Sequence, residues 1–395
     1  MRDIDLIIVG SGPAGISTAL HLLQLDPGWA DRMIMIEKAS HPRPKLCGGG
    51  MTRLGVEVLK QLGIQFPLPI PQEWVVDARF VYRGRTIHIR GLPLLIFFHR
   101  AELDEYLVEQ ARSRGVIIHQ NETVEQISFD KKRVVVKTNR ELYPTRVLVG
   151  ADGAMGITRR TFLEHGEKSR VARTLDVISP APLTASEFQE GFAIFDFSST
   201  SNDLQGYFWV FPALVGGLPH FNRGIYDARM ASSRARAKLP DLLKKGLATY
   251  VQDPQQVRVD GHPIHCFSPR NRFSMPRLLL VGDAAGVDPL FGEGIAPALA
   301  YGQVAAAALT EAFTQADFSF EDYRRRVLLS PLGHYLMVRW VIALVSYHLS
   351  GSPLFMHTLW TMGYLANRIF NQPDPLAERP ARIEHTRSAK YLIKD

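Results

Sequence analysis

The chain has 395 residues, 46 % of them hydrophobic, and a formal net charge of +7. This composition excludes a disordered, collagen-like or coiled-coil protein and predicts about two to three globular domains. The charge favours anionic partners such as phosphates or lipid head groups, whereas nucleic acid is disfavoured because the basic residues are scattered.

The first predicted elements are a buried strand, a glycine-rich turn and a helix. Residues 4–9 are β-branched or leucine-rich, residues 10–15 carry the glycines, and residues 16–23 have helical character. A second short apolar strand at residues 33–36 ends in Glu37. The start of the chain has no apolar segment followed by a small-residue cleavage site, so we expect a cytoplasmic protein.

The middle of the chain alternates between two patterns. Residues 78–82 and 86–89 alternate apolar and polar side chains around Arg83-Gly84-Arg85, which predicts an antiparallel hairpin. Helical spacing returns at residues 100–111. The strands expected after this helix lie at residues 116–119, 134–137 and 147–149.

A second segment with the strand pattern, rich in Ser, Pro and aromatic residues, follows at residues 174–269. Its expected strands lie at residues 192–197, 206–211 and 222–227. A buried strand at residues 278–281 and a helix over residues 294–313 then return to the first pattern. One domain is therefore assembled from separated pieces of the chain.

The C-terminal region has two apolar, aromatic segments, at residues 335–349 and 354–370. Polar residues, Gly351 and Pro353 interrupt them too often for a membrane-spanning helix. We expect helices that lie at a membrane surface and make peripheral contact with it. Their predicted aromatic anchors are Trp340, Tyr347, Trp360 and Tyr364.

The turn after the first strand has the spacing Gly10-x-Gly12-x-x-Gly15, which is typical of a dinucleotide-binding fingerprint. Its glycines turn the chain, admit a pyrophosphate and let helix and strand pack closely. Glu37 follows Gly15 by 37 − 15 = 22 residues, where a carboxylate accepts hydrogen bonds from ribose hydroxyls. The fingerprint alone does not separate FAD from NAD.

Two later segments, Leu148–Gly153 and Leu280–Gly286, favour FAD over NAD because of a resemblance. With the first motif they resemble the flavin signatures of the geranylgeranyl reductase family of FAD-dependent oxidoreductases, which shares its fold with aromatic hydroxylases. Gly156 stands where that family usually has Ser. The resemblance and the fingerprint together predict as FAD-binding residues Gly10, Gly12, Pro13, Ala14, Gly15, Glu37, Lys38, Cys47, Gly48, Gly49, Arg100, Asp152, Gly153, Gly282, Asp283, Pro289, Gly292, Gly294 and Ile295.

Two further segments resemble the geranylgeranyl reductase branch in particular. Lys45–Gly50 resembles its Cys-Gly-Gly-Gly loop, and Gly206–Pro212 resembles its Pro-x-x-Tyr-x-Trp-x-Phe-Pro signature, with Leu204 in place of the first Pro. In that branch the aromatic residues line a tunnel for an isoprenoid chain. The resemblance implies as substrate-binding residues Gly50, Tyr207, Trp209, Phe211 and Pro212.

Cys47 is the predicted catalytic residue, through a thiol that donates a proton to substrate or organises a proton relay. The alternative is that Cys47 is a small buried hydrophobic side chain. The three aromatic side chains at 207, 209 and 211 share one face of a strand and could equally form a core. With Cys266, the chain has only two cysteines, and no set of His, Cys and carboxylates has metal-ligand spacing, so no metal site is expected.

The fold implied by the resemblance is α/β. A Rossmann-like three-layer FAD-binding domain is expected over residues 1–66, 92–173 and 270–330. A mostly antiparallel β-sheet domain over residues 67–91 and 174–269 would bind substrate. Residues 331–395 would form a helical, membrane-associating region.

The function implied is an FAD-dependent reductase of carbon–carbon double bonds in a prenyl chain, with a prenylated lipid as its partner. An FAD-dependent monooxygenase of an apolar substrate, and a flavin-loaded membrane adaptor without enzymatic activity, are the alternatives. Only one dinucleotide fingerprint is present, so an external electron donor is expected, either NAD(P)H or a ferredoxin-like protein.

Overall fold

The structure is a computed structural model that describes residues 4–130, 132–164, 170–248 and 258–369. The described strands are β1 (Ile4–Val9), β2 (Met33–Ile36), β3 (Gly50–Thr52), β4 (Gln72–Tyr82), β5 (Arg85–Phe98), β6 (Ile117–His119), β7 (Val124–Phe129), β8 (Val134–Thr138), β9 (Leu142–Gly150), β10 (Val171–Pro180), β11 (Phe192–Asp196), β12 (Gly206–Val215), β13 (Leu218–Asp227), β14 (Asp260–His265), β15 (Ser274–Met275) and β16 (Leu278–Leu280). The described α-helices are α1 (Pro13–Leu25), α2 (Arg53–Gln61), α3 (Arg100–Ser113), α4 (Ile157–Glu164), α5 (Ser186–Gln189), α6 (Leu239–Leu247), α7 (Ile295–Gln315), α8 (Tyr323–Leu329), α9 (Pro331–Leu349) and α10 (Pro353–Ile369).

The first sheet has the order β15-β16-β9-β1-β2-β6, and its strands from β16 to β6 are parallel. In the central strand, Ile7 lies opposite both Ile34 of β2 and Leu148 of β9. The side chains of residues 6–9 in β1, of β2 and of β16 are buried, and α1 packs against β1. The α/β class and the strands predicted here from apolar runs are confirmed.

The second sheet has the order β14-β10-β13-β12-β11-β4-β5-β3, and only its β11–β4 pair is parallel. The predicted hairpin is confirmed as β4 and β5, with positive φ angles at Arg83 (+46°) and Gly84 (+80°) in the turn between them. Strand β5 continues to Phe98, beyond the domain boundary expected at residue 91, and β3 also joins this sheet. A register shift between Val75 and Asp77 lets the long β4–β5 pair bend.

One face of the second sheet is aromatic and packs against α9 and α10. Tyr207, Trp209 and Phe211 of β12 belong to this cluster, together with Tyr347 and Trp360 from the two helices. The alternation along β12 places its odd-numbered residues on this face. The C-terminal helices therefore form one wall of the space above the sheet.

The expected role of two aromatic residues as membrane anchors is corrected by this packing. Tyr347 is buried and its hydroxyl donates to the backbone oxygen of Leu290, while the Trp360 indole N–H donates to the backbone oxygen of Phe80 at 3.1 Å. The polar atoms of both side chains therefore form hydrogen bonds inside the protein. Tyr364 remains exposed.

No single helix within the described ranges is long and apolar enough to cross a membrane, although α8 and α9, bent by 73° at their junction, reach that length and hydropathy as a pair. Residues 370–395 of the expected C-terminal region lie outside the described residues.

Candidate functional site

Two glycines shape the turn between β1 and α1. Gly10 has a φ of +101°, and a Cβ atom there would lie 2.5 Å from the backbone oxygen of Ala151. A Cβ atom at Gly15 would lie 2.1 Å from the backbone oxygen of Gly10. At Gly12 the nearest atom would be 3.7 Å away. The turn therefore leaves open space at the N-terminus of α1, where backbone N–H groups favour an anion.

The Glu37 carboxylate is held at the end of β2. One oxygen accepts hydrogen bonds from the backbone N–H and the hydroxyl of Ser11, both at 3.0 Å, and the other accepts from the backbone N–H of Ala39 at 3.1 Å. The Arg43 guanidinium lies 3.7 Å from the second oxygen. These contacts orient the carboxylate beside the glycine turn.

A large cavity of about 510 Å³ runs along the carboxyl ends of the parallel strands and is called the large cavity below. Most of the predicted cofactor residues line it: Gly10, Gly12, Pro13, Ala14, Glu37, Lys38, Cys47, Arg100, Asp152, Gly153, Asp283, Gly292, Gly294 and Ile295. The residues of that prediction that do not line it are Gly15, Gly48, Gly49, Gly282 and Pro289.

Close packing explains two of these exceptions. At Gly15 a side chain would meet the turn itself, and at Gly282 a Cβ atom would lie 2.7 Å from the Cβ atom of Ala14. Pro289 contributes through its backbone oxygen, which accepts a hydrogen bond from the Tyr226 hydroxyl at 2.9 Å. These residues shape the wall without facing the space.

Two arginines that the sequence analysis missed, Arg43 and Arg160, also line the large cavity. Arg43 lies between Glu37 and Asp104, with its guanidinium 3.4 Å from the latter. The signal available in the sequence was a pair of basic residues, Arg43 and Lys45, directly before the glycine loop. Both arginines add positive charge to the lining of the large cavity, and Arg43 lies near Gly12.

The presence of Gly156, where the resembled family usually has Ser, has a steric explanation. A Cβ atom at Gly156 would lie 2.0 Å from the carboxyl carbon of Asp152. That carboxylate accepts hydrogen bonds from the Thr158 backbone N–H, at 3.0 Å, and from the Thr158 hydroxyl. The glycine thus makes room for the Asp152 carboxylate to cap the following turn.

Arg100 links the large cavity to the Cys47 loop. Its guanidinium forms two hydrogen bonds of 2.9 Å with the Asp104 carboxylate, one turn later on α3. Burial disfavours the charge, but Asp104 outweighs it and raises the pKa of Arg100. Arg100 and Cys47 both line the large cavity. The Cys47 sulfur accepts a hydrogen bond from the Gly49 backbone N–H at 3.4 Å.

A second cavity, of about 240 Å³ and called the aromatic cavity below, lies on the aromatic face of the second sheet. Four of the predicted substrate residues line it: Gly50, Tyr207, Trp209 and Phe211. Gly48 and Gly49, which were predicted to bind FAD, line it as well. Pro212 does not line it, because adjacent residues of a strand point to opposite faces. A Cβ atom at Gly48 would lie 3.1 Å from the Phe211 ring, so the glycine loop presses directly against the aromatic wall.

Aromatic side chains pack closely in this wall. The Trp209 and Phe211 rings are stacked with centroids 5.8 Å apart, and Phe195 lies 5.2 Å from Tyr207. The Trp209 indole N–H donates to the side-chain oxygen of Asn222 at 2.7 Å. Asn222 was not among the predicted site residues, although it lies in the strand that follows the aromatic signature. These contacts fix the ring orientations.

The two cavities meet. Five residues line both of them: Cys47, His262, Ile264, Gly292 and Gly294. A molecule in the large cavity and a molecule in the aromatic cavity would therefore share a boundary at Cys47 and at the N-terminus of α7.

His262 at this boundary was also missed from the sequence. The Thr174 hydroxyl donates to the His262 backbone oxygen at 3.1 Å and lies 2.9 Å from His262 Nδ1. Burial, and then the charges of Lys45 and Arg100, lower the pKa of His262 to about 3. The imidazole is therefore neutral at physiological pH.

Buried charges lie on the opposite wall of the aromatic cavity. The Arg339 guanidinium lies 3.0 Å from the Asp288 carboxylate and 3.9 Å from that of Glu293. Glu293 accepts hydrogen bonds from the backbone N–H of Thr52, at 2.9 Å, and from the Tyr335 hydroxyl. Burial raises the pKa of both carboxyl groups despite the nearby arginine.

Within the part of the chain that the structure describes, no group of three or more His, Cys, Asp or Glu side chains could hold a metal ion. Cys47 and Cys266 are both free thiols, and Cys266 is buried.

A family model described as an FAD binding domain matches residues 3–320. The chain belongs to the FAD binding domain family. The match includes every described residue that lines the two cavities except Arg339 of α9, and it identifies the protein as an FAD-dependent oxidoreductase. It also confirms the fold expected from the three glycine-rich motifs.

The curated relatives of this chain include reductases, of which two illustrate the range. The digeranylgeranylglycerophospholipid reductase 1 of Methanopyrus kandleri is 26 % identical over 82 % of this chain and 84 % of its own length. The menaquinone reductase of Mycolicibacterium smegmatis is 27 % identical over 87 % of this chain and 88 % of its own length.

Solved structures share the same fold. A geranylgeranyl bacteriochlorophyll reductase-like protein from Thermoplasma acidophilum superimposes with a TM-score of 0.73 at 22 % identity, covering 89 % of this chain and 88 % of that chain. A probable FAD-dependent monooxygenase from Pseudomonas aeruginosa superimposes with a TM-score of 0.64 at 18 % identity, covering 92 % of this chain and all of the other.

The residues of the large cavity fit the cofactor of the FAD binding domain family. Open space at Gly12 admits a pyrophosphate, and Arg43 and Arg160 supply positive charge near it. Glu37 is an oriented acceptor for ribose hydroxyls. Gly292 and Gly294, with no side chains, leave the boundary with the aromatic cavity accessible to a flat ring system.

Proposed function

We propose that this FAD-dependent oxidoreductase reduces carbon–carbon double bonds in an isoprenoid chain of the geranylgeranyl type. The observation that carries the proposal is the shared boundary between the two cavities at Cys47, Gly292 and Gly294. It would place an apolar substrate directly beside the flavin ring. The name of the Methanopyrus kandleri relative, a reductase of a digeranylgeranyl lipid, supports a substrate of this kind.

The second sheet is the proposed substrate-binding part. The flavin, when bound and reduced, supplies a hydride to a carbon atom of the substrate. The aromatic wall binds the chain by apolar contact and excludes water from the boundary. Gly50, Tyr207, Trp209 and Phe211 carry these contacts, whereas Pro212 supports the strand from its other face.

Cys47 is the proposed residue that contacts substrate and flavin at the boundary. Its sulfur accepts a hydrogen bond from the Gly49 backbone N–H at 3.4 Å, which holds the side chain against the glycine loop. We assign it the role of orienting the reacting groups. The alternative is that Cys47 serves only packing.

An external donor supplies the electrons in this proposal, either NAD(P)H or a ferredoxin-like protein. The chain has one glycine fingerprint, and FAD would use it. The donor therefore docks transiently and leaves after reducing the flavin.

We further propose that α9 and α10 contact a membrane, from which a prenylated lipid enters the aromatic cavity. Ile89 lines this cavity and is 45 % exposed, so the cavity reaches the surface at β5. The backbone N–H and C=O of the adjacent His88 both hydrogen-bond to the Asn367 side chain, which places α10 beside the opening. The two helices also carry exposed apolar side chains: Val338, Val341, Ile342, Val345, Leu349, Leu354, Leu359, Met362 and Leu365.

The test is an anaerobic reaction of chemically reduced protein with geranylgeranyl-bearing lipids and diphosphates, followed by mass spectrometry. Products heavier by two hydrogen atoms for each reduced bond are expected. Flavin that stays reduced with every prenyl substrate would contradict the proposal.

A second candidate function is FAD-dependent monooxygenation of an apolar substrate. It is favoured by the fold shared with the Pseudomonas aeruginosa protein. Substrate-dependent consumption of oxygen in the presence of NAD(P)H, with an oxygenated product, would support this candidate over the reductase.

A further inference from the structure

The aromatic cavity contains one carboxyl group. Among the described residues that line it, only Glu293 carries a carboxylic acid, and that side chain is 8 % exposed. Its chain neighbours Gly292 and Gly294 line both cavities, so Glu293 lies at the edge of the boundary. The apolar lining offers few other groups that could exchange a proton with a substrate.

A hydrogen-bonded path leads from Glu293 toward the outside. The Tyr335 hydroxyl donates to one carboxyl oxygen of Glu293 and lies 3.5 Å from the hydroxyl of Thr52. Tyr335 and Thr52 are both only partly buried, unlike Asp288, which is fully enclosed. A proton given up by Glu293 could thus be replaced through the phenol.

The surroundings of Glu293 shift its pKa upward, which is the direction that an acid requires. The Arg339 guanidinium lies 3.0 Å from the Asp288 carboxylate and 3.9 Å from that of Glu293. Its positive charge therefore stabilises the Asp288 carboxylate more than the Glu293 carboxylate. Burial raises the pKa of Glu293, with Arg339, Tyr335 and Thr52 opposing this shift. The other titratable group that faces the carboxyl is Tyr207, whose own pKa burial raises, so it stays neutral.

We propose that Glu293 is a catalytic acid that protonates the substrate double bond. This inference rests on the proposed function. The O–H bond of the Glu293 carboxyl breaks, and the π electrons of the alkene form a C–H bond with that proton. The hydride that reduced flavin supplies forms the second C–H bond, its electrons having come from the external donor. Glu293, left as a carboxylate, regains a proton from the Tyr335 hydroxyl, which takes one from solvent.

The aromatic wall supports this step. Protonation of a substituted alkene develops positive charge on the more substituted carbon, and the faces of Tyr207, Trp209 and Phe211 attract such a charge. The same rings that bind the prenyl chain would thereby stabilise the charge that its protonation creates.

The test compares Glu293→Gln with the wild type in anaerobic single turnover of the reduced flavin with a substrate that the wild type reduces. Glu293→Gln is expected to slow flavin oxidation by roughly 100-fold or more, because general acid catalysis of this kind contributes about that factor. FAD binding and the spectrum of the oxidised flavin should not change. Tyr335→Phe should slow repeated turnover more than the first turnover.

The pH profile separates an acid from a merely structural residue. The protonated carboxyl is the active form, so the wild-type rate should fall as the pH rises past the pKa of Glu293, and this fall should be absent in Glu293→Gln. Glu311→Gln, on the distant part of α7, is the matched control and should keep the wild-type profile. A rate within about threefold of wild type with the same pH profile would refute the role of Glu293.

Infrared difference spectra provide a readout without substrate. The wild type minus Glu293→Gln difference at pH 7 should contain the carbonyl band of a protonated carboxyl. Its absence would overturn the inference while leaving the proposed reductase intact, whereas a wild type that reduces no prenyl chain would overturn the proposed function first.

Discussion

The side-chain N–H of Asn222 donates to the backbone oxygen of Cys47 at 3.0 Å. The side-chain oxygen of the same amide accepts the indole N–H of Trp209. One buried amide on β13 therefore connects the glycine loop to the aromatic wall. It sets the distance between the two surfaces that would hold the flavin and the prenyl chain.

Replacing Asn222 with leucine should loosen the Cys47 loop without removing the fold. Two hydrogen bonds are lost and the indole N–H is left without its partner, at a cost of about 1–3 kcal/mol in the free energy of unfolding. The Cys47 thiol should then react several-fold faster with an aromatic disulfide reagent. The buried Cys266 should not react in either protein, and Cys47→Ser supplies the baseline. Equal thiol reactivity in the variant and the wild type would show that Asn222 does not hold the loop.

Cys47→Ala should leave the protein yellow but slow the reduction of substrate. The predicted flavin contacts at Gly12, Glu37 and Asp283 are untouched, so FAD absorbance and flavin affinity should persist. The rate of single-turnover flavin oxidation is expected to fall by about tenfold or more as the residue at the boundary shrinks. A variant that turns over at the parental rate would assign Cys47 to packing.

Gly12 and Gly15 should fail in different ways when changed to alanine. Gly12 has open space, so Gly12→Ala should fold with nearly wild-type stability and lose FAD affinity, because its methyl group would enter the space for the pyrophosphate. Gly15→Ala forces a contact of 2.1 Å with a backbone oxygen and should lower the melting temperature of the flavin-free protein. Thermal denaturation and flavin titration of both variants separate the two effects. Equal losses of stability would contradict the assignment.

Asp176 should make the protein less stable as the pH rises. It lies opposite Asp260 in the β10–β14 pair, and burial, with the charge of Asp260, raises its pKa to about 7. A carboxyl whose pKa is higher in the folded than in the unfolded chain contributes stability below about pH 4 that is lost as the pH rises to about 7, here by roughly 4 kcal/mol at most. Denaturant unfolding at pH 5 and pH 8 measures this change.

Asp176→Asn should flatten that dependence, and Asp260→Asn should reduce it, because the second change lowers the pKa of Asp176 without removing its carboxyl. If Asp176→Asn leaves the difference between pH 5 and pH 8 unchanged, another group is responsible.

A charge on the exposed face of α9 should weaken membrane contact. Val341→Glu is expected to reduce sedimentation with vesicles that contain anionic lipid, because it places a carboxylate in the apolar surface. Leu142→Glu changes an equally exposed apolar residue on the first sheet and should bind like the wild type. Activity on a detergent-dispersed substrate should persist in both variants. Loss of vesicle binding in both would point to net charge as the cause.

Local patterns were sufficient to predict most strands of the first sheet and the glycine turn. The apolar strand at 4–9 lies where it was expected, and the helix after the turn begins at Pro13, three residues before the expected start. Strands β7 and β15 were not predicted. The alternation around Arg83 and Gly84 was equally informative.

Residues brought together from distant segments were not predictable in this way. His262 reaches the boundary only because β14 pairs with β10, and Asn222 meets Cys47 across 175 positions of sequence. The burial of Tyr347 and Trp360 depends on where α9 and α10 pack, which their apolar character alone did not reveal. Which distant residues come into contact depends on the sheet topology, and local periodicity in the sequence does not reveal that topology.

The parallel pair of β4 and β11 has a consequence for how the molecule is made. Asp77 lies opposite Phe192, and the chain between them first completes most of the other sheet. Closing so long a loop costs entropy that only the finished contacts recover. During synthesis on the ribosome, the apolar faces of these strands would therefore remain unpaired until late. The two cavities would then form at the same stage.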